Sequence, residues 1–407
     1  MPICAKWIES LENGLLLNGS NTMTSATPTI IVVGYNRPDS LRRLLGSLIK
    51  GHYPPGNVRL VISLDASNTP EPRKVAEAFD WPFGEKRIVA GDERKGLRKH
   101  VLSCGDLTEE YGDVIVLEDD LYVSPYFYEY ATRALAYYAD AEDVAGVSLY
   151  SLNFCQTANL PFIPVDNGNS DVYFLQLAAS WGQAWSAKHW RGFRQWLAAN
   201  GTDISNIRNI PPDVRAWPES SWLKLYNAYI IDQNKFFVYP YCALSTNFGD
   251  PGQHFTMASS RFQVAVQQQS KEHRFTSLED SLAVYDAYCE LLPRSIKRRN
   301  PKLANHEFVV NLYGHKQPPA GLQLTRTSQR GVLNFEFSMK PMELSVLNDI
   351  EGQGIALIDT SELDTQAQNS AQTEYDLYRF FYKFPSLKVI GFGIKEKIKL
   401  ALSGARR

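Results

Sequence analysis

Cysteine is scarce and scattered in this 407-residue chain. Cys4, Cys104, Cys155, Cys242 and Cys289 form no C-x-x-C pair, which excludes a zinc ribbon and argues against a disulfide framework. A reducing compartment is therefore expected. Residues 1–27 lack a basic start followed by an apolar run, so no secretory signal is read there. No stretch approaches the roughly 20 apolar residues that span a bilayer. Charge of one sign is also missing: the net charge is −2, without the broad basic field of a nucleic-acid binder, so no nucleic acid is expected among the partners. No Walker loop and no G-x-G-x-x-G follows the first strand-like run, which disfavours a kinase or a dinucleotide enzyme. These absences point to a cytoplasmic protein.

What is present is ordinary in bulk, with 44% hydrophobic and 21% charged residues, enough for a sizeable core. Aromatics are enriched, with 21 Tyr and 8 Trp, as core filling or as the lining of a sugar or nucleotide site. The β-branched run Thr29 to Val33 reads as a buried parallel strand, and Leu41, Leu44, Leu45 and Leu48 mark the apolar face of a following helix. Val58 to Leu64, Arg87 to Ala90 and "DVIVLEDD" repeat the strand pattern, with helix-forming segments between. This alternation predicts an α/β fold with a mostly parallel sheet flanked by helices. The expected division is an N-terminal extension over 1–27, a main domain over 28–315, a β-rich appendage over 316–360, a linker over 361–374 and a basic tail over 375–407.

Ligands bind open parallel sheets at the carboxyl ends of their strands, and Arg37, Asp65 and the run Glu118, Asp119, Asp120 all fall at that edge. Three consecutive acids exceed what a helix cap needs. Burying them without a cation or donors would cost several kcal/mol. Carboxylates of this kind can hold Mn²⁺ or Mg²⁺, hard cations that take oxygen ligands and substrate phosphates. Four Trp lie between Trp181 and Trp196, and Trp217 and Trp222 follow. In the tail, Leu387, Ile390, Ile394, Ile398 and Leu402 form an apolar stripe among Lys383, Lys388, Lys395, Lys397, Lys399, Arg406 and Arg407. That pattern suits an anionic membrane surface; the alternative is a terminal helix docked on the domain.

The segments "VVGYNRP" and "VLEDDLYVSPYFYEY", with an Asp ending the second strand, resemble the nucleotide-sugar half of N-acetylglucosaminyltransferase I and its bacterial relatives among GT-A-fold glycosyltransferases. The resemblance covers roughly residues 28 to 260 and not the tail. It implies a Rossmann-like GT-A domain and inverting sugar transfer from a nucleotide sugar, UDP-linked, to a glycan or lipid-linked acceptor. It assigns Arg37, Asp65 and His100 to the uridine end of the donor, Glu118 and Asp119 to sugar and ribose, and Asp120 to the metal. "LSTNFGDPGQHF" resembles the loop that closes over the donor, which places Phe248 and Gly249 there. The catalytic base of the family lies in a Trp-acid-acid-Trp segment. Here "WPESSW" leaves Glu219 as its one acid, with Asp250 and Asp213 as rivals. Between Trp217 and Trp222, Glu219 is expected to be partly buried, which would raise its pKa. With no anchor in view, the expected setting is surface-polysaccharide synthesis at the inner face of the plasma membrane. A nucleotidyltransferase and a catalytically silent nucleotide- or glycan-binding module are the alternatives.

Overall fold

The computed structural model describes residues 27–250, 260–317, 319–364 and 371–404. The expected N-terminal extension, apart from its last residue, lies outside the described residues, as do residues 251–259 of the loop beyond Asp250. The expected α/β architecture is observed: a nine-stranded, mostly parallel sheet with helices on both faces.

The first half supplies β1 (Thr29–Gly34), α1 (Pro38–Leu48), β2 (Leu60–Leu64), α2 (Glu71–Ala78), β3 (Lys86–Ala90), α3 (Leu97–Gly105) and β4 (Val114–Glu118). Strands β3, β2, β1 and β4 lie side by side, all parallel. Because both faces are covered, β1 and β2 are apolar almost without interruption rather than alternating. The pleat still divides them. Ile30 and Val32 join the core built on the leucines of α1, while Ile31 and Val33 join the core on the opposite face with Val101 and Cys104 of α3.

The second half supplies β5 (Leu121–Val123), α4 (Phe127–Tyr137), β6 (Val144–Ser148), β7 (Val172–Leu175), β8 (Gln183–Trp185), α5 (Ala187–Asn200), α6 (Trp222–Asp232), β9 (Phe236–Pro240), β10 (Ser245–Asn247) and β11 (Val284–Tyr285). The sheet continues from β4 through β8, β6, β9 and β7 to β11. Strand β8 runs antiparallel between β4 and β6, with Gln183 opposite Val116 and Ser148. Its amino end therefore starts at the edge where β4 ends, and Trp181 is delivered to that edge. Strands β5 and β10 pair separately as a two-stranded ribbon, Leu121 opposite Asn247 and Val123 opposite Ser245.

The tryptophans divide by burial. Trp185, Trp190 and Trp222 are fully buried and pack around Tyr226, so they are core. Trp181 is partly buried and stacks on Phe262 with centroids 4.8 Å apart. Trp217 is also partly buried.

A second sheet is formed by β12 (Phe308–Asn311), β13 (Leu322–Thr327), β14 (Leu333–Glu336) and β15 (Gly354–Asp359), in the order β12, β13, β15, β14. It takes its first strand from residues before 316. Leu324, Phe335, Ile355 and Leu357 belong to the same apolar core as Leu291 and Ile296, so the appendage is continuous with the main body. Residues 365–370 of the expected linker lie outside the described residues, and its last residues open α7 (Ala371–Phe381). Leu377 of α7 is buried and Phe380 stacks on Phe337 at 4.3 Å. The final helix, α8 (Leu387–Gly404), contrasts with it. Leu387 is 86% exposed and Phe392 65%, with Val389, Ile394 and Ile398 also exposed. Its described side chains are not those of a docked helix. Leu402, Arg406 and Arg407 have no described side chains. Among the described residues, no helix is long and apolar enough to cross a membrane.

Gly146 in β6 shows how tightly the sheet is covered. A Cβ at this position would meet the Phe237 ring at 2.5 Å and the Trp185 indole at 2.6 Å. Gly146→Ala is expected to lower stability by about 1–3 kcal/mol through overpacking. Urea unfolding should show a lower midpoint with an unchanged slope.

Candidate active site

Strand register assembles the site. Val33 lies opposite Glu118 and Gly34 opposite Leu64, so the residues after β1, β2 and β4 emerge together: Tyr35 to Arg37, Asp65, and Asp119 with Asp120. Arg37 occupies the N-cap position of α1, where Pro38 starts the helix. Its guanidinium forks across two acids. One nitrogen bonds Asp119 and the other bonds Asp120 Oδ2 at 3.1 Å. The Tyr35 amide also donates to Asp119.

The three acids are not equivalent. Asp119 is almost fully buried, and burial pushes its carboxyl up to about 6 even though Arg37 pulls it down. Glu118 is raised further, by burial and by Asp120, against the opposing pull of Arg37 and a hydrogen bond from Trp222. Asp120 has 21% of its side chain exposed, and Glu118 is partly exposed as well.

Asp65 and His100 are both brought to this edge. The Asp65 carboxylate accepts from the amides of Ala66, Lys95 and Gly96, which ties the end of β2 to the start of α3. His100 lies one turn into α3 and bonds the Ser63 hydroxyl at 2.8 Å. Burial draws its pKa down to about 4, the nearby Asp65 notwithstanding, so the imidazole is neutral at pH 7.

The β5–β10 ribbon delivers the loop after Asn247. The Phe248 amide donates to the Asp120 carbonyl at 2.9 Å, and Gly249 takes φ +61°, a left-handed conformation that suits glycine. The Arg43 guanidinium lies over the Phe248 ring, 3.7 Å from its centroid, and also pairs with Asp250. Ser40 donates to the same carboxylate at 2.8 Å. Phe248, Gly249 and Asp250 thus sit against α1 beside the acids.

Glu219 differs from expectation. Its side chain is 75% exposed rather than partly buried, and its pKa is lowered, chiefly by a hydrogen bond from Lys224 and the charge of that ammonium. The physical reason lies in the flanking tryptophans. Trp222 turns inward and packs on Trp185 and Tyr226, while Trp217 uses its carbonyl to accept from Lys224, so neither indole encloses Glu219. Arg98 approaches the other oxygen at 3.7 Å. Asp213 is held elsewhere, accepting from Thr157 at 2.6 Å, and no contact joins it to the Arg37 cluster among the described residues.

Several participants were missed by sequence reasoning. Arg43 follows Ser40 by three residues and shares its helix face, a signal that was readable. The approach of Arg98 to Glu219, and of Trp222 to Glu118, joins segments more than 100 residues apart and leaves no local trace, whereas Lys224 follows Glu219 by five residues.

No known protein-family profile matches this sequence, and no curated protein does. Among solved structures, the mannosyltransferase PcManGT from Pyrobaculum calidifontis, in complex with GDP-Man and Mn²⁺, is 18% identical with a TM-score of 0.29, over 43% of this chain and 46% of its own. TarS from S. aureus is 12% identical with a TM-score of 0.31, over 52% and 36%. A 1–349 form of TarS in complex with UDP is 12% identical with a TM-score of 0.32, over 52% and 60%. The chain thus spans less than two thirds of the length of each.

His189 and His273 are buried like His100, and burial likewise draws each down to about 4. Unfolded imidazoles take a proton near pH 6.5 that the folded ones refuse. Stability is therefore fully present above pH 6.5 and falls as the pH drops towards 4, by on the order of 2–3 kcal/mol per imidazole. Urea unfolding between pH 7 and pH 4 should show that decline, and His100→Gln should remove about a third of it, leaving the shares of His189 and His273.

Proposed function

We propose that this chain is an inverting glycosyltransferase of the GT-A type. In this reading it moves a sugar from a nucleotide sugar, UDP-linked, to a glycan or lipid-linked acceptor in surface-polysaccharide synthesis. The carrying observation is the convergence of Arg37, Asp65, His100 and the Glu118–Asp120 run at the carboxyl edge of three parallel strands, with Phe248 and Gly249 joined to Asp120.

Among the described residues, no group of three His, Cys, Asp or Glu can hold a metal by itself. That fits a hard cation held by one carboxylate and completed by substrate phosphates, as Mg²⁺ and Mn²⁺ are commonly bound. Asp120, accessible and oxygen-donating, is the residue that would hold it. When bound, the metal neutralises charge on the departing diphosphate. Arg37 engages Asp120 in the free protein, so cation and guanidinium compete and Mn²⁺ alone should bind weakly.

The protein's own residues account for the rest of the reading. Asp65 and neutral His100 stand at the uridine end. Arg37 favours the ionised form of buried Asp119, and Glu118 stands beside it on the sugar side. For the base, Asp250 is tied to Ser40 and Arg43, and Asp213 to Thr157. Glu219 is the accessible acid of the three, three residues before Trp222 in the chain. Lys224 keeps it ionised and able to take a proton from an acceptor hydroxyl.

In a thermal-shift assay, UDP with Mn²⁺ should stabilise the protein more than the two separate effects combined. Asp120→Ala should remove the Mn²⁺ component and transfer while leaving the fold intact; undiminished turnover would disprove the metal assignment. Glu219→Gln should slow transfer by roughly 10² or more with donor affinity little changed. Near-normal transfer would pass the role to Asp250 and then Asp213.

The exposed α8, with its lysines and apolar side chains, supports placement on an anionic membrane surface, where a lipid-linked acceptor resides. Deleting residues from Lys383 onward should leave donor hydrolysis unchanged but release the protein from anionic vesicles. Added salt should mimic the deletion, since each basic residue contributes only about 1 kcal/mol and is screened. Salt-insensitive binding, or loss of hydrolysis on truncation, would count against this placement.

A further inference from the structure

A cavity of about 250 Å³ lies away from the candidate active site, between the second sheet and the tail. Its floor is Arg326 of β13, flanked by Thr325 and Tyr313. Its rim carries His315, and α7 closes it with Glu374 and Tyr378. Arg326 is only 9% exposed. It donates from Nε to the Leu312 carbonyl at 2.7 Å and from Nη1 to the Thr373 carbonyl at 3.4 Å, and it faces the Phe337 ring.

None of these partners is an anion. No ion pair involves Arg326 among the described residues, whereas Lys316 close by in sequence is paired with Asp286. The acids that act on Arg326 from further away are Glu290 and Asp376. Glu290 is itself raised to about 7 by burial, so at neutral pH it is partly protonated and compensates weakly. Burial also pulls the Arg326 guanidinium down to about 10. A cation buried without a counter-ion is costly, and removing that cost is a source of binding energy for an anion.

We propose that this cavity is a binding site for a phosphate group, taken up by Arg326. A guanidinium has a planar fork matched to phosphate oxygens, and the two backbone carbonyls hold that fork in place. Glu374, at the α7 rim, is exposed and opposes an anion, which limits affinity rather than abolishing it. The phosphate can come from solution or from a membrane headgroup, because α7 roofs the cavity and leads directly into exposed α8. The inference does not depend on the donor-site reading.

The test uses the full chain. Inorganic phosphate, added at constant ionic strength against chloride, should raise the melting temperature in a saturable way. Arg326→Gln should abolish that rise. If this variant folds poorly, Glu374→Gln decides the matter. It changes an exposed side chain and should lower the half-saturating phosphate concentration by about threefold, the scale of one screened like charge. No phosphate-specific rise, or a rise that neither variant alters, overturns the proposal. The latter result would mean that the anion binds elsewhere, as at Arg37. Vesicles containing phosphatidic acid or phosphatidylglycerol at equal charge separate the two sources. A preference for phosphatidic acid that Arg326→Gln removes assigns the pocket to a headgroup, and equal binding beside an intact thermal shift assigns it to soluble phosphate. Stabilisation by UDP with Mn²⁺ should be the same in both variants and reports on the donor site separately.

Discussion

Arg37 forks across Asp119 and Asp120, and that ion pair allows three acids to end a buried strand. An ionised carboxylate cannot be moved out of water alone; it takes up a proton or finds a partner. Asp119 does some of each, since burial lifts its pKa while Arg37 opposes the rise. The site is therefore arranged under electrostatic load before any ligand arrives. A guanidinium suits this position because it makes two directed bonds where an ammonium is a single point of charge.

That load is borne by a rigid frame. Arg37 is fixed by its place at the start of α1, whose leucines are locked into one core, and the acids are fixed by the pairing of β4 with β1. The opposite core holds the other half of the site. Trp222 lies near Glu118 on a helix packed against Trp185 and Trp190. Loops alone do not hold charges at such separations; here strand ends and helix termini do. The ribbon of β5 with β10 adds the last piece by stitching Phe248 to the Asp120 backbone.

The tail follows a different logic. Helix α7 is held by Leu377 and by Phe380 on Phe337, whereas α8 leaves large apolar side chains in water. In the placement proposed above, a bilayer interface would bury the apolar side while the charges remain solvated. The Arg326 cavity lies on the side of the docked helix, where Glu374, Leu377 and Tyr378 of α7 line it.

The local pattern of the sequence determined the elements. β-branched runs bounded by turns became strands β1, β2 and β4, the leucine spacing became α1, and the parallel order followed from strand–helix alternation. It also placed Arg37, Asp65 and the acidic run at one edge, because in a parallel sheet every carboxyl end faces the same way. The tertiary structure decided the rest, and for one reason: the deciding contacts are between residues distant in sequence. Sequence spacing between two tryptophans implied a shielded Glu219, but Trp222 packs on Trp185 in the core and leaves Glu219 to Lys224 in solvent. Asp250 acquired Ser40 and Arg43, over 200 residues away, only through the ribbon that folds its loop back on α1. Arg326 reads in sequence as one more polar residue of a strand pattern. That it is buried without an anion follows only from what the second sheet and α7 close around it.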